Sequence, residues 1–93
     1  MSNDGRDRRS PEIATRIPAR LIDSAGKEVA VIVTGLSSST FRLETTGLLE
    51  PGERVILRVD RDRDYPAQIG WSTRGESAGR FLEPVKLVNG VPQ

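Results

Sequence analysis

Glu50-Pro51-Gly52-Glu53, followed by Arg54-Val55-Ile56-Leu57-Arg58-Val59, is the stretch that decides the fold. Pro-Gly is turn chemistry: proline presets φ for one central turn position, and glycine accepts the positive φ of the next. Beyond the turn, Val55, Leu57 and Val59 fall on one side, with Arg54 and Arg58 on the other. A period of two marks a strand with one buried face. The same signature stands upstream. Val29, Val31 and Val33 alternate within 28–34, and Phe41 and Leu43 alternate with Arg42 and Glu44 within 40–45. Their β-branched content disfavours helix.

Working outward, 17–22 reads as a first strand, with Pro18 tolerated near its start. The turn Ser24-Ala25-Gly26-Lys27 joins it to 28–34 as an antiparallel hairpin. Gly35-Leu36-Ser37-Ser38-Ser39 interrupts the apolar pattern and reads as an irregular loop. Residues 54–59 form the fourth strand and 65–72 the fifth. After the turn Arg74-Gly75-Glu76-Ser77, residues 79–83 form the sixth. Residues 85–89 are expected to make one helical turn, stopped at Gly90. Short strands about ten residues apart predict an all-β domain, a small six-stranded antiparallel β-barrel whose closure removes exposed edges. Residues 1–15 carry no apolar period and are expected to be a flexible N-terminal arm, with the barrel over 16–85 and a tail over 86–93. In the arm, Arg6, Arg8 and Arg9 are nearly balanced by Asp4, Asp7 and Glu12.

Ninety-three residues make one domain, and Leu, Ile, Val and Phe number 24 of them, enough for a packed core. That core is aliphatic, because Phe41, Tyr65, Trp71 and Phe81 are the only aromatics. Cysteine and histidine are both absent. The chain therefore lacks a disulfide framework, thiolate and imidazole metal ligands, and the usual nucleophile–base pairs. Carboxylates need a partly buried pocket for acid–base work, and its Asp and Glu lie in hydrophilic, turn-like stretches. Catalysis is not expected; binding is. Asp60-Arg61-Asp62-Arg63-Asp64 reads as a solvated hairpin tip and not a calcium loop, since Tyr65 and Trp71 stand where such a loop needs Gly and Glu. The net charge is +1, and 12 of the 14 cations are arginine. That balance gives no basic stripe for nucleic acid. No apolar run reaches the roughly 20 residues of a membrane span, so a cytoplasmic location is the expectation.

The order of these features resembles the PilZ domain family, the six-stranded barrels of bacterial cyclic di-GMP receptors. Ile17-Pro18-Ala19-Arg20-Leu21 is similar to the family's first strand, and Gly52 to Val59 to its "G-x-x-V-x-L-x-V" strand. Gln68-Ile69-Gly70-Trp71 and Gly79-Arg80-Phe81 occupy its last places. The resemblance covers roughly residues 8–85 and implies a regulatory module in cyclic di-GMP signalling.

Two ligand motifs go with that family, and both are altered. In its (Asp/Asn)-x-Ser-x-x-Gly loop, Ser37 matches, Gly35 replaces the acid or amide, and Thr40 replaces the glycine. Gly35 has no side chain to accept hydrogen bonds, and a β-branched Thr40 resists the backbone freedom of glycine. In the Arg-x-x-x-Arg arm, Arg8 takes the first place with Arg9 adjacent, and the second falls on Glu12, which repels phosphate. A literal Arg-x-x-x-Arg at Arg16 and Arg20 lies within the first strand, its members ~13 Å apart at strand rise. The resemblance thus implies weak or lost cyclic di-GMP binding and a protein-interaction adaptor. The alternative is a working receptor using Arg8, Arg9 and the Ser37 loop. A small nucleic-acid-binding barrel is a third reading, disfavoured by the scarcity of aromatics.

Overall fold

The computed structural model of the chain describes residues 12–60, 63–88 and 91–92. Six strands close into one antiparallel barrel: β1 (Ile13–Ile22), β2 (Glu28–Leu36), β3 (Thr40–Glu44), β4 (Arg54–Asp60), β5 (Arg63–Thr73) and β6 (Glu76–Phe81). Around the barrel the order is β1-β2-β3-β6-β5-β4, and β4 pairs back onto β1 through Arg20–Arg58, Leu21–Leu57 and Ile22–Ile56. The all-β, six-stranded barrel expected from alternation is the observed fold. Among the described residues there is no helix long and apolar enough to cross a membrane.

Inward-facing residues build the core as the period of two requires. Leu21, Val31, Val33, Phe41, Leu43, Val55, Leu57 and Ile69 are all buried, and Val29 and Val59 pack at its margin. Phe41 lies against Phe81 with ring centroids 5.1 Å apart, and Tyr65 meets Phe81 edge-on at 6.0 Å. These aromatics seal the end of the barrel near the β2–β3 loop, where Val85 donates its N–H to the Ser38 carbonyl at 2.8 Å.

Several boundaries differ from the expected ones. β1 begins at Ile13, so residues 13–15 of the expected arm are strand; they pair Ile13 with Leu36 and Ala14 with Gly35 beyond a bulge. Gly35 and Leu36 therefore belong to β2 and not to the loop. β6 begins at Glu76, because the β5–β6 turn is only Arg74-Gly75, with Gly75 at φ 94°. The expected helical turn at 85–89 is absent: Leu87–Val88 forms β7 and pairs with β8 (Val91–Pro92). Val85, buried in the core, holds the chain entering this hairpin, and the β-branched Val88 and Val91 favour extended backbone. Arg8, Arg9 and the rest of 1–11 lie outside the described residues.

The crossing from β3 to β4 is tied down by a carboxylate. Glu53 accepts from the Ser24 N–H at 3.1 Å and the Ser24 hydroxyl at 2.9 Å, stapling this connection to the β1–β2 turn. The backbone and hydroxyl donors of Ser24 hold the Glu53 carboxyl below its ordinary value. Asp64 is lowered likewise by the guanidinium of Arg58, which donates at 2.7 Å and 3.0 Å. A depressed folded-state pKa stabilises above the unfolded pKa and loses that contribution as pH falls through the folded one. The melting temperature is therefore expected to drop on acidification from about pH 6 to about pH 3. Glu53→Gln should melt lower than wild type at neutral pH and converge with it in acid. Parallel curves for the two proteins would show that the staple carries no charge-dependent stability.

Candidate functional site

Two rows of exterior residues run across neighbouring strands. In the first, Gly35 pairs with Arg42, Arg42 with Ala78, and Ala78 with Trp71. In the second, Thr40 pairs with Arg80, Arg80 with Gln68, and Gln68 with Arg54. Between them lies a groove of about 460 Å³, bounded by Glu12, Thr40, Gln68, Trp71 and Arg80 and floored by Gly70 and Ala78. It sits on the outside of the barrel and leaves the core intact.

Trp71 reaches this surface because of a bulge. The β5–β6 register shifts between Ile69 and Trp71, making Gly70 the extra residue. Ile69 points inward, Gly70 and Trp71 outward, and Ser72 inward again, where its hydroxyl meets that of Ser77 at 2.8 Å. Bulges of this kind re-aim a side chain beside a site. The indole is left 42% exposed. Arg80 is fixed beside it, donating to Gln68 Oε1 at 2.9 Å, while the Gln68 amide donates to the Gly52 carbonyl at 3.0 Å.

Glu12 and Gly35, two of the altered motif positions, are in contact. A Cβ placed on Gly35 would lie 2.9 Å from Glu12 Cδ and Oε1, so the Glu12 carboxylate covers the face where a side chain at this position would project. Glu12 Oε1 also lies 3.5 Å from the Arg42 guanidinium. The Glu12 carboxylate thus fills the space beside Gly35 of β2 that a larger side chain there would need. Two register shifts make this possible, one in β1 between Ala14 and Ile17, the other in β2 between Val33 and Gly35.

Ser37, the residue the resemblance assigned to ligand contact, is bonded within its own loop. It is 1% exposed. Its Oγ accepts from the N–H groups of Ser39 at 3.1 Å and Thr40 at 2.9 Å, and lies 2.8 Å from Thr40 Oγ1. Its own N–H donates to the Thr40 carbonyl at 2.9 Å. These bonds fold the β2–β3 loop, and Thr40 serves there as an extended strand residue whose hydroxyl completes the set. Ser37→Ala would remove the acceptor from two part-buried N–H bonds and is expected to cost about 1–2 kcal/mol, read by thermal or urea unfolding. An unchanged midpoint would mean the loop closes without the hydroxyl.

No protein-family model matches this chain. No curated protein matches it either.

The literal Arg-x-x-x-Arg does not form a clamp. Arg16 binds Glu44 through both terminal nitrogens, at 3.3 Å and 3.4 Å. Arg20 stands opposite Arg58, which is held by Asp64 and, at 3.7 Å, by Glu28. Gln68, Trp71, Ala78 and Arg80 line the groove and were not assigned to a site by sequence reasoning, nor was Arg42, which pairs with Ala78 at its margin. Arg42 was legible only as an outward strand cation, and nothing in the local pattern set it beside Trp71, which lies two strands away.

Proposed function

We propose that this chain is a PilZ-like regulatory module of the cytoplasm that works by binding and not by catalysis. Its cyclic di-GMP site is altered enough to hold that nucleotide weakly or not at all, and it acts as a protein-interaction adaptor. The observation that carries this reading is the Glu12 carboxylate lying on Gly35 and 3.5 Å from Arg42. A negative charge thus stands where a guanidinium of the arm would meet a phosphate, and it occupies a cation that would otherwise serve an anionic ligand. The buried Ser37 hydroxyl adds to it, being already engaged by the N–H groups of Ser39 and Thr40 and by the Thr40 hydroxyl. The barrel by itself decides nothing, since one fold hosts many functions.

The test is calorimetric titration of the whole chain with cyclic di-GMP. No saturable heat is expected at micromolar concentration. Tight binding would establish the alternative, a working receptor in which Glu12 leaves Arg42 and Arg8 and Arg9 engage the ligand.

A further inference from the structure

The row Thr40–Arg80–Gln68–Arg54 borders the Trp71 groove on one side and an apolar strip on the other. Ile22 pairs with Ile56 and Ile56 with Pro66, all facing outward, and the Leu82 N–H donates to the Pro66 carbonyl at 2.9 Å. A second exterior groove of about 270 Å³ runs along this strip, and Leu82 is 37% exposed. Of the four large hydrophobics most exposed among the described residues, two are therefore on this one face: Trp71 and Leu82. Leu82 and Trp71 are separated along the strands by roughly 13–16 Å, about four or five residues of extended chain.

What lies between them is cationic. The two rows hold Arg42, Arg54 and Arg80 and no acid, and one carboxylate, Glu12, reaches in to Arg42. Among the described residues neither Arg54 nor Arg80 has a carboxylate partner; Arg80 is oriented by the neutral Gln68. The nearby Asp23 turns its Oδ1 into its own turn, accepting from the N–H groups of Ala25 and Lys27. Glu53 is bound to Ser24. Two oriented or open guanidiniums flanked by apolar contacts are an unmatched charge pattern, and the matching surface is acidic with apolar anchors.

We infer that the β4–β5–β6 face docks an acidic segment of a partner protein, with one apolar side chain on the Pro66–Leu82 strip, a second on Trp71, and carboxylates between them against Arg54 and Arg80. This inference rests on the adaptor reading above and names its surface and partner chemistry. A second copy of the chain is a poor occupant, because it would press arginine rows together. Single-stranded nucleic acid would find one exposed aromatic where stacking platforms offer several.

The test uses the whole, isotope-labelled chain and a short fluorescein-labelled peptide carrying leucine and phenylalanine about five positions apart with aspartates between. A lysine-for-aspartate counterpart, an oligothymidylate and a sedimentation run accompany it. The acidic peptide is expected to bind and to shift the amides of Ile56, Gln68, Arg80 and Leu82 and the indole N–H of Trp71. Arg54→Glu with Arg80→Glu should weaken it by at least about tenfold, given the strength of charge-assisted hydrogen bonds. Trp71→Ala should weaken it while leaving its salt dependence unchanged, because Arg54 and Arg80 remain. Raising salt from about 50 mM to about 500 mM should weaken wild-type binding as well, so the charge dependence is read even if a variant folds poorly. Equal affinity for the lysine peptide, shifts on another face, no response, oligothymidylate binding at these residues, or self-association through them would each overturn the proposal. Cyclic di-GMP titrated into the same sample separates the two claims. Tight nucleotide binding removes the altered-site reading whatever the peptide does, and a silent peptide beside a silent nucleotide removes this surface alone.

Discussion

Gly79→Ala is expected to destabilise the barrel by about 2–4 kcal/mol, at or beyond the upper end of ordinary overpacking. Gly79 sits on the inward side of β6, opposite Ile69 of β5 and Phe41 of β3. A methyl group there would run into the Gln68 carbonyl oxygen and come within 2.7 Å of Phe41 Cζ. The Phe41 ring is fully buried and packed on Phe81, so it has no empty space to enter. The carbonyl is backbone and yields only if the β5–β6 pairing itself moves. For a domain of this size each kcal/mol lowers the melting temperature by about 4–8 °C, so a fall of roughly 8–32 °C follows. Against a total stability of about 5–15 kcal/mol, and a small core, that leaves little margin. Phe41→Leu distinguishes the two obstacles. It removes the ring contact but leaves the carbonyl and opens a cavity, so the double variant should be no more stable than Gly79→Ala alone. A double variant more stable than the single one would mean that the ring, and not the backbone, was the obstacle.

Strands were legible where one face is apolar, and illegible where the inward residue is polar or the register shifts. β4 alternates without interruption from Arg54 to Leu57, and sequence and structure agree on its start. β6 begins three residues earlier than expected because Ser77 points inward and satisfies itself against Ser72, a pairing that breaks the apolar pattern without breaking the strand. β1 begins at Ile13 for the opposite reason. A bulge between Ala14 and Ile17 offsets the alternation, so 13–16 looks aperiodic although it is paired. The geometry around the residues singled out in the sequence was not legible there. Glu12, Gly35 and Thr40 were identifiable as departures from a motif. That the carboxylate of Glu12 covers Gly35 depends on register shifts in two adjacent strands, which no short-range pattern encodes. Ser37 was singled out for its hydroxyl; that hydroxyl is turned into the loop, where it accepts from local backbone donors.

On the proposed PilZ-like reading, placing the family's residues at positions 12, 35 and 40 should confer affinity for cyclic di-GMP, and the contact between Glu12 and Gly35 dictates the order in which the changes act. Gly35→Asp alone places a carboxylate against that of Glu12. Glu12 meets the new side chain with the far end of a flexible chain, so it swings away from Arg42 at small cost in stability. Arg42 is then shared with the introduced acid, and nucleotide binding should not improve. Glu12→Arg alone removes the carboxylate and sets a guanidinium near Arg42, which repels it. Combined, the introduced arginine and aspartate attract one another across the same short distance, and the arm root is held again with its charge reversed. The coupling between the two positions should therefore be favourable in a double-mutant cycle. Thr40→Gly completes the loop and sacrifices the Thr40–Ser37 hydroxyl contact, about 0.5–1.5 kcal/mol, so folding of the triple variant must be verified before titration. Charge-assisted hydrogen bonds contribute about 1.5–3 kcal/mol each. The arginine alone then corresponds to roughly a ten- to hundredfold gain, and removing the repulsion of Glu12 adds to it. Calorimetry on the triple variant should give saturable binding where wild type gives none, with indole fluorescence of Trp71 responding in parallel. A folded triple variant with an unaltered titration would show that Glu12 is not the position that meets the nucleotide, and the likeness to the PilZ family would then extend no further than the barrel.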